Sequence, residues 1–200
     1  MNKDQIVKII HECAILYENN YANRNIMVVF GSEATNMEYV VIQFLRNNYL
    51  HLTGIDVNDI KPAQFFDMCK KQKISTSDFK LRSDGTTTLK LEALPQIMTL
   101  MKRGGMVCFC DEKQGIKLYC DKLIGNTQVC IGLGLIKDYY YPKTLLMEDI
   151  RRRGTNCKRI LLIFSKPINK KLYDKIEYTN KTIDPSDIIC NSELSGLLSL

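Results

Sequence analysis

Apolar residues recur at helical spacing along the first twenty positions. Ile6, Ile9, Ile10, Cys13, Leu16 and Tyr17 share one face of a helix running from Asn2 to about Asn20. Asn2 with Gln5 three residues on has the form of a capping box. Lys3, Lys8, His11 and Glu12 occupy the polar side, which puts His11 toward solvent. The pattern then shortens. Asn25 to Phe30 is a short apolar strand ended by Gly31-Ser32, and Met37 to Leu45 is its expected antiparallel partner. Phe44 to Ile55, FLRNNYLHLTGI, follows as a corner that carries His51 at a boundary between elements. Lys61 to Lys71 is a short helix with Pro62 in its first turn and Phe65, Phe66 and Cys69 on its buried face. Ser75 to Asp78 has a capping form. Thr86 to Arg103 is a second long helical segment, kinked or split at Pro95 and ended by Gly104-Gly105.

From Met106 the period changes to two. MVCFC, IKLYC and QVCIGLGLI are expected strands, with turns at Asp111–Gly115 and Gly125-Asn126. Tyr139 to Pro142 ends the third of them. Thr144 to Arg153 is expected as a short basic helix, Lys158 to Phe164 as a strand, and Leu172 to Thr179 as one more. Segregated helices and antiparallel strands define an α+β class, with N-terminal helices packed on a mainly antiparallel sheet. The expected organisation is one domain over residues 1–180, followed by a C-terminal arm or weak helix over 181–200.

Composition narrows the function classes. A chain of 200 residues with 45% hydrophobic and 25% charged residues has the balance of a globular domain with a substantial core. No apolar run approaches the roughly 20 residues of a membrane span. The N-terminus lacks the pattern of a signal peptide, so a cytoplasmic location and no membrane partner are expected. The closest of the eight cysteines, Cys108-Phe-Cys110, lacks zinc-knuckle spacing and has no nearby histidine. Buried, reduced cysteines are therefore expected, with no metal and no cofactor. Of the net charge of +6, the segment 143–175 alone carries ten Lys/Arg against three Asp/Glu. A basic third on a nearly neutral body suits a polyanion, RNA first, with Arg151, Arg152, Arg153, Lys158 and Arg159 as its candidate contacts. A solvated face of a cytosolic protein is the competing reading of the same charges.

Several stretches together carry a resemblance: FLxxxxLHLTGI, AQFFDMC, TTTLKLEALPQI, CDKLIGN leading into VCIGLGL, and YPKTLL. In this order they resemble the fourth phage-type family of the barnase–EndoU–colicin–RelE-like nuclease superfamily, over roughly Asn25 to Arg159. The resemblance implies a compact sheet with helices on one face and a metal-independent RNase activity of toxin type. It also implies His51 as general acid/base, with Lys90 and Thr144 at matching positions; serine is the more usual residue where Thr144 stands. Such chemistry uses the RNA 2′-hydroxyl as nucleophile. It needs a base, an acid for the leaving 5′-oxygen, and a cation facing the phosphoryl oxygens. A His–Lys/Arg arrangement is what this chain permits, with Lys90, Lys122, Arg151 and Tyr140 as the further candidates. The alternative is a non-catalytic binding protein on the same scaffold, such as a phage anti-defence inhibitor acting on a host protein or nucleic-acid complex.

Overall fold

Helix α1 (Lys3–Asn20) begins at the Asn2/Gln5 capping box, in which each side chain bonds the other residue's backbone N–H at 2.9 Å. The computed structural model describes residues 1–33, 36–110, 120–190 and 192–199. Ile6, Ile10, Cys13, Ala14 and Tyr17 of α1 are buried. Tyr17 lies 5.2–6.2 Å, ring to ring, from Tyr21, Phe44, Tyr49 and Phe66, and its hydroxyl donates to the Leu45 carbonyl. Each such aromatic pair contributes about 0.5–1.5 kcal/mol beyond area burial. One buried cluster thus ties α1 to the strand and the two helices that follow.

The other elements are β1 (Arg24–Glu33), β2 (Asn36–Phe44), α2 (Asn48–Thr53), β3 (Asp56–Val57), α3 (Pro62–Lys70), β4 (Phe79–Lys80), α4 (Thr86–Ile97), β5 (Met106–Cys110), β6 (Lys122–Gly125), β7 (Cys130–Ile136), β8 (Tyr139–Leu146), β9 (Gly154–Pro167), β10 (Lys175–Thr179), α5 (Pro185–Ile189) and α6 (Ser192–Ser195). The hairpin β1–β2 is antiparallel as expected, in the register Ile26↔Ile42. Helix α4 stops at Ile97, two residues after Pro95, and a 3₁₀ turn over Leu100–Lys102 follows. The proline splits this segment because it has no amide proton for the helical ladder.

The sheet departs from the expected plain antiparallel layer. Its order is β1-β2-β8-β7-β6-β5-β9-β10, and β1 also pairs with β9, which closes it into a barrel. The long β9 makes this possible. Gly31↔Arg159 to Arg24↔Pro167 joins it to β1, while Cys110↔Gly154 and Met106↔Arg159 join it to β5. On the far side the ring is held by a single parallel bridge, Ile42↔Tyr140. Helices α2 and α4 also pack against β8. Residues of α1 to α4 and one face of the strands form the main core. On another face, Met27, Val29, Leu161 and Phe164 pack against Ile188 and Leu194 of the C-terminal segment. That segment, expected as an arm or weak helix, holds two short helices and an isolated bridge, Tyr173↔Leu198.

Four further expectations are corrected. Thr144 to Leu146 belongs to β8 and is not helical; only Ile150–Arg152 turns, as a 3₁₀ turn. Pro142 does not end a strand but sits within one, next to the irregularity between Gly132 and Leu133 where the β7–β8 ladder shifts register. A residue without an N–H is tolerated at such a bulge. His11 is half-buried, with its Nε2 enclosed and unbonded. Cys108 and Cys157 are not free thiols, because a disulfide joins them across β5 and β9. The expected turn at 111–115, and all but Cys120 of the strand IKLYC, lie outside the described residues.

Candidate functional site

His51 lies within α2, not at a loop corner. Four neighbours decide which way it faces: Asn48, Tyr49, Leu52 and Thr53 are buried, so position 51 is left on the outer side of this short helix. The Tyr49 hydroxyl donates to the Ile10 carbonyl at 2.7 Å, and Asn48 Oδ1 accepts the Leu45 amide at 2.8 Å. Thr53 closes the helix by donating to Leu50 O and accepting from the Ile55 amide. Gly54, with φ 66°, takes the left-handed conformation that ends many helices.

Gly54 is also where α4 docks. The Thr87 hydroxyl donates to Gly54 O at 2.7 Å and accepts from the Arg82 amide. One turn later, the Lys90 stem lies over Gly54, and its ammonium donates to His51 O at 3.2 Å. The positive group thus sits at the carbonyl end of α2, where the helix dipole favours it. Arg82 is held nearby by Asp56 at 3.2 Å.

Between the start of α4 and the end of β8 runs a groove of about 370 Å³. Arg82, Asp84, Thr86, Leu89 and Lys90 form one wall; Thr144 to Glu148 and Arg153 form the other. Arg153 Nε donates to Glu148 Oε2 at 2.5 Å. Leu89 and Met147, both exposed, give the groove an apolar lip beside its cations. Burial lowers the His51 pKa below the usual imidazole value, and the Lys90 and Arg82 charges lower it further. Lys90 is lowered by its own burial and by Arg82, with Asp84 opposing. The chemical outcome is a neutral imidazole at neutral pH beside a groove with three cations and two carboxylates.

Of the residues expected at a site, Lys90 and Thr144 share this groove with Arg153, and His51 adjoins it through Lys90. The others do not gather there. Arg151 is exposed and clamped to Asp149, while Arg152 lines a separate hollow with Gln96 and Gln128. Lys158 is paired with Glu38, and it lines yet another hollow with Arg159. Lys122 is buried, with its ammonium 3.7 Å from the Phe109 ring. Tyr140 is half-buried at the β2–β8 bridge. Arg82, Glu148, Leu89 and Met147 went unmarked in the sequence. Only Glu148 left a trace there, as one of two carboxylates just ahead of the arginine run.

No helix among the described residues is long and apolar enough to cross a membrane. No curated protein and no solved structure matches the chain. A family model does match, over residues 9–182, and its span takes in the greater part of α1, the groove and the closed barrel. With His51, Lys90 and Thr144 all inside that span, the chain belongs to the family described as phage-Barnase-EndoU-ColicinE5/D-RelE like nuclease4.

Proposed function

We propose that the protein is a metal-independent endoribonuclease of phage or mobile-element origin, acting on RNA in the cytoplasm, with the α4–β8 groove as its active site. The observation that carries this reading is a histidine kept neutral next to a groove lined by Arg82, Lys90 and Arg153. His51 takes the proton of the RNA 2′-hydroxyl, as a neutral imidazole can. The attacking oxygen then adds to the adjacent phosphorus. Arg82 and Arg153 meet the charge that grows on the phosphoryl oxygens, where fixed cations act most strongly. Lys90, whose lowered pKa makes its ammonium a better acid, protonates the leaving 5′-oxygen. Thr144 hydrogen-bonds the phosphate, and Leu89 with Met147 offers an apolar surface to a base. The product is a 2′,3′-cyclic phosphate.

The test is His51→Ala. Cleavage of RNA should fall on the order of 10²–10⁴-fold, the usual contribution of a positioned acid or base. The unfolding midpoint should hardly move, because His51 sits on the outer side of α2 and is exposed as a residue; a fully buried, bonded histidine would instead cost roughly 1–3 kcal/mol. Wild-type activity should persist in EDTA and rise with pH through a limb below the usual imidazole value of 6.5. One observation favours a second reading, a non-catalytic binder such as an anti-defence inhibitor. Arg82, Arg153 and Lys90 are already engaged by Asp56, Glu148 and the His51 carbonyl. Intact RNA after prolonged incubation with wild-type protein would decide for that reading.

A further inference from the structure

Five cysteines collect on the strand face opposite the main core. Cys108, Cys120 and Cys130 are buried there with Leu123 and Ile150, and Cys110 and Cys157 pack against them. The alternation is strict: Val107, Ile124 and Ile131 point into the main core while their neighbours Cys108, Leu123 and Cys130 point away from it. Cys108 and Cys157 are already bonded. A second pair stands unbonded beside them. The Cys120 thiol donates to Cys110 Sγ at 2.9 Å, closer than the roughly 3.5–4.0 Å at which non-bonded carbons pack.

Three features of the pair bear on reactivity. Their access differs, Cys110 being half-exposed and Cys120 only 7% exposed. The Cys110 amide donates to the carbonyl of Asp121, the residue after Cys120, at 3.5 Å, which limits how far the two cysteines can part. Gly132 leaves room for the Cys120 sulfur, since a side chain there would come within 3.3 Å of it and 2.7 Å of the Thr144 methyl.

We propose that Cys110 and Cys120 are a redox-active dithiol, which closes reversibly to a second disulfide at the expense of a low-molecular-weight disulfide such as oxidised glutathione. The accessible Cys110 loses its proton to solvent, and its thiolate attacks one sulfur of the oxidant. The oxidant's S–S bond breaks, one thiolate leaves, and a mixed disulfide remains on Cys110. Cys120 Sγ then displaces the second thiolate from Cys110, and the Cys120 proton passes to that departing group. The protein gives up two electrons and two protons, and two small thiols are released. Burial raises the Cys120 pKa, which keeps it a protonated resolving thiol until the mixed disulfide forms. The Cys120 sulfur and the methyl of Thr144, a residue of the groove wall, both lie against the space that a side chain at Gly132 would fill.

The experiment equilibrates the full chain with reduced and oxidised glutathione at graded ratios, then denatures, alkylates and maps the peptides by mass. With Cys108–Cys157 closed, six thiols are free. The expected result is that a Cys110–Cys120 cross-linked peptide appears under oxidising ratios, leaving four, and disappears on return to reducing ones. Cys120→Ser should leave Cys110 trapped as its glutathione adduct. Should that variant not fold, Cys110→Ala must abolish the cross-link while Cys13 and Cys69 stay alkylatable. Alkylation of both Cys110 and Cys120 even at the most oxidising ratios would overturn the proposal. So would scrambled pairing among Cys108, Cys110, Cys120 and Cys157, or one zinc ion bound per chain in the reduced protein.

Discussion

Gly54→Ala tests how His51, Gly54 and Lys90 depend on one another. Two costs follow from the geometry. At φ 66° and ψ 15° an alanine pays roughly 1–2 kcal/mol for the left-handed conformation. Its Cβ would also stand 2.7 Å from Lys90 Cδ, so the lysine must swing away and release the bond to His51 O. That bond contributes about 1 kcal/mol. The single substitution should therefore lose about 2–3 kcal/mol. Lys90→Ala alone should lose about 1 kcal/mol for the same bond. In the double variant there is no stem left to displace, so the total should again be about 2–3 kcal/mol. The singles would then overshoot the double by about 1 kcal/mol, more than the roughly 0.3–0.5 kcal/mol scatter of independent sites. Urea unfolding followed by circular dichroism on the four proteins measures this directly. Additive losses would refute the packing argument, since they would mean that Lys90 keeps its bond with a methyl group at position 54.

Three further outcomes are expected. Both histidines have pKa values lowered by burial, so the unfolded chain binds protons more readily than the folded one near the usual value of 6.5. Their contribution to stability is full above about 6.5 and is lost as pH falls from there through the folded-state values. Urea midpoints at pH 7.5 and 5.5 should differ in that direction, and less so in a His11→Gln, His51→Gln variant. If RNA binds the groove, Arg153→Ala should flatten the salt dependence of affinity by roughly 0.7 in log–log slope, while Arg151→Ala, which lies outside the groove lining, should change it less; equal effects would place the RNA elsewhere. Tyr21→Phe should lower stability by roughly 1–3 kcal/mol, because the Tyr21 hydroxyl donates to the buried Ile97 carbonyl at 2.6 Å. An unchanged unfolding midpoint would show that another group takes over that carbonyl.

Local features were the legible ones. The Asn2/Gln5 cap, the β1–β2 hairpin, the α3 start at Pro62 and the break after Pro95 each depend on residues a few positions apart, and each is present. Barrel closure was not legible. Pairing Met27 with Phe164 depends on two apolar strands far apart in the chain, and alternation alone does not say which strands meet. The helix at 48–53 was hidden because HLTG reads as a turn, whereas Tyr49 and Leu52 supply the buried face that makes it a helix. At the groove, Lys90 and Thr144 came from family resemblance. Arg82 and Glu148 could not, since they join the groove only when β8 is laid beside α4. The surroundings of the arginine run were hidden for a related reason. Its charges were counted along the chain, but Asp149 and Glu148 fold back on Arg151 and Arg153.

The closure of β1 on β9 also sets an order of events during synthesis. Strand β1 leaves the ribosome early, but its second partner, which includes Arg159 to Pro167, is made only after most of the chain has been translated. At roughly 5–20 residues per second, the intervening stretch takes many seconds to appear. Through that interval α1 to α4 and the β1–β2 hairpin can associate locally, while the outer edge of β1 stays unpaired. The Arg153 side of the groove arrives in the same late stretch. A nascent or prematurely terminated chain ending before β9 would therefore carry His51 and Lys90 without a closed barrel beneath them. Completion of β9 is the step that closes the barrel.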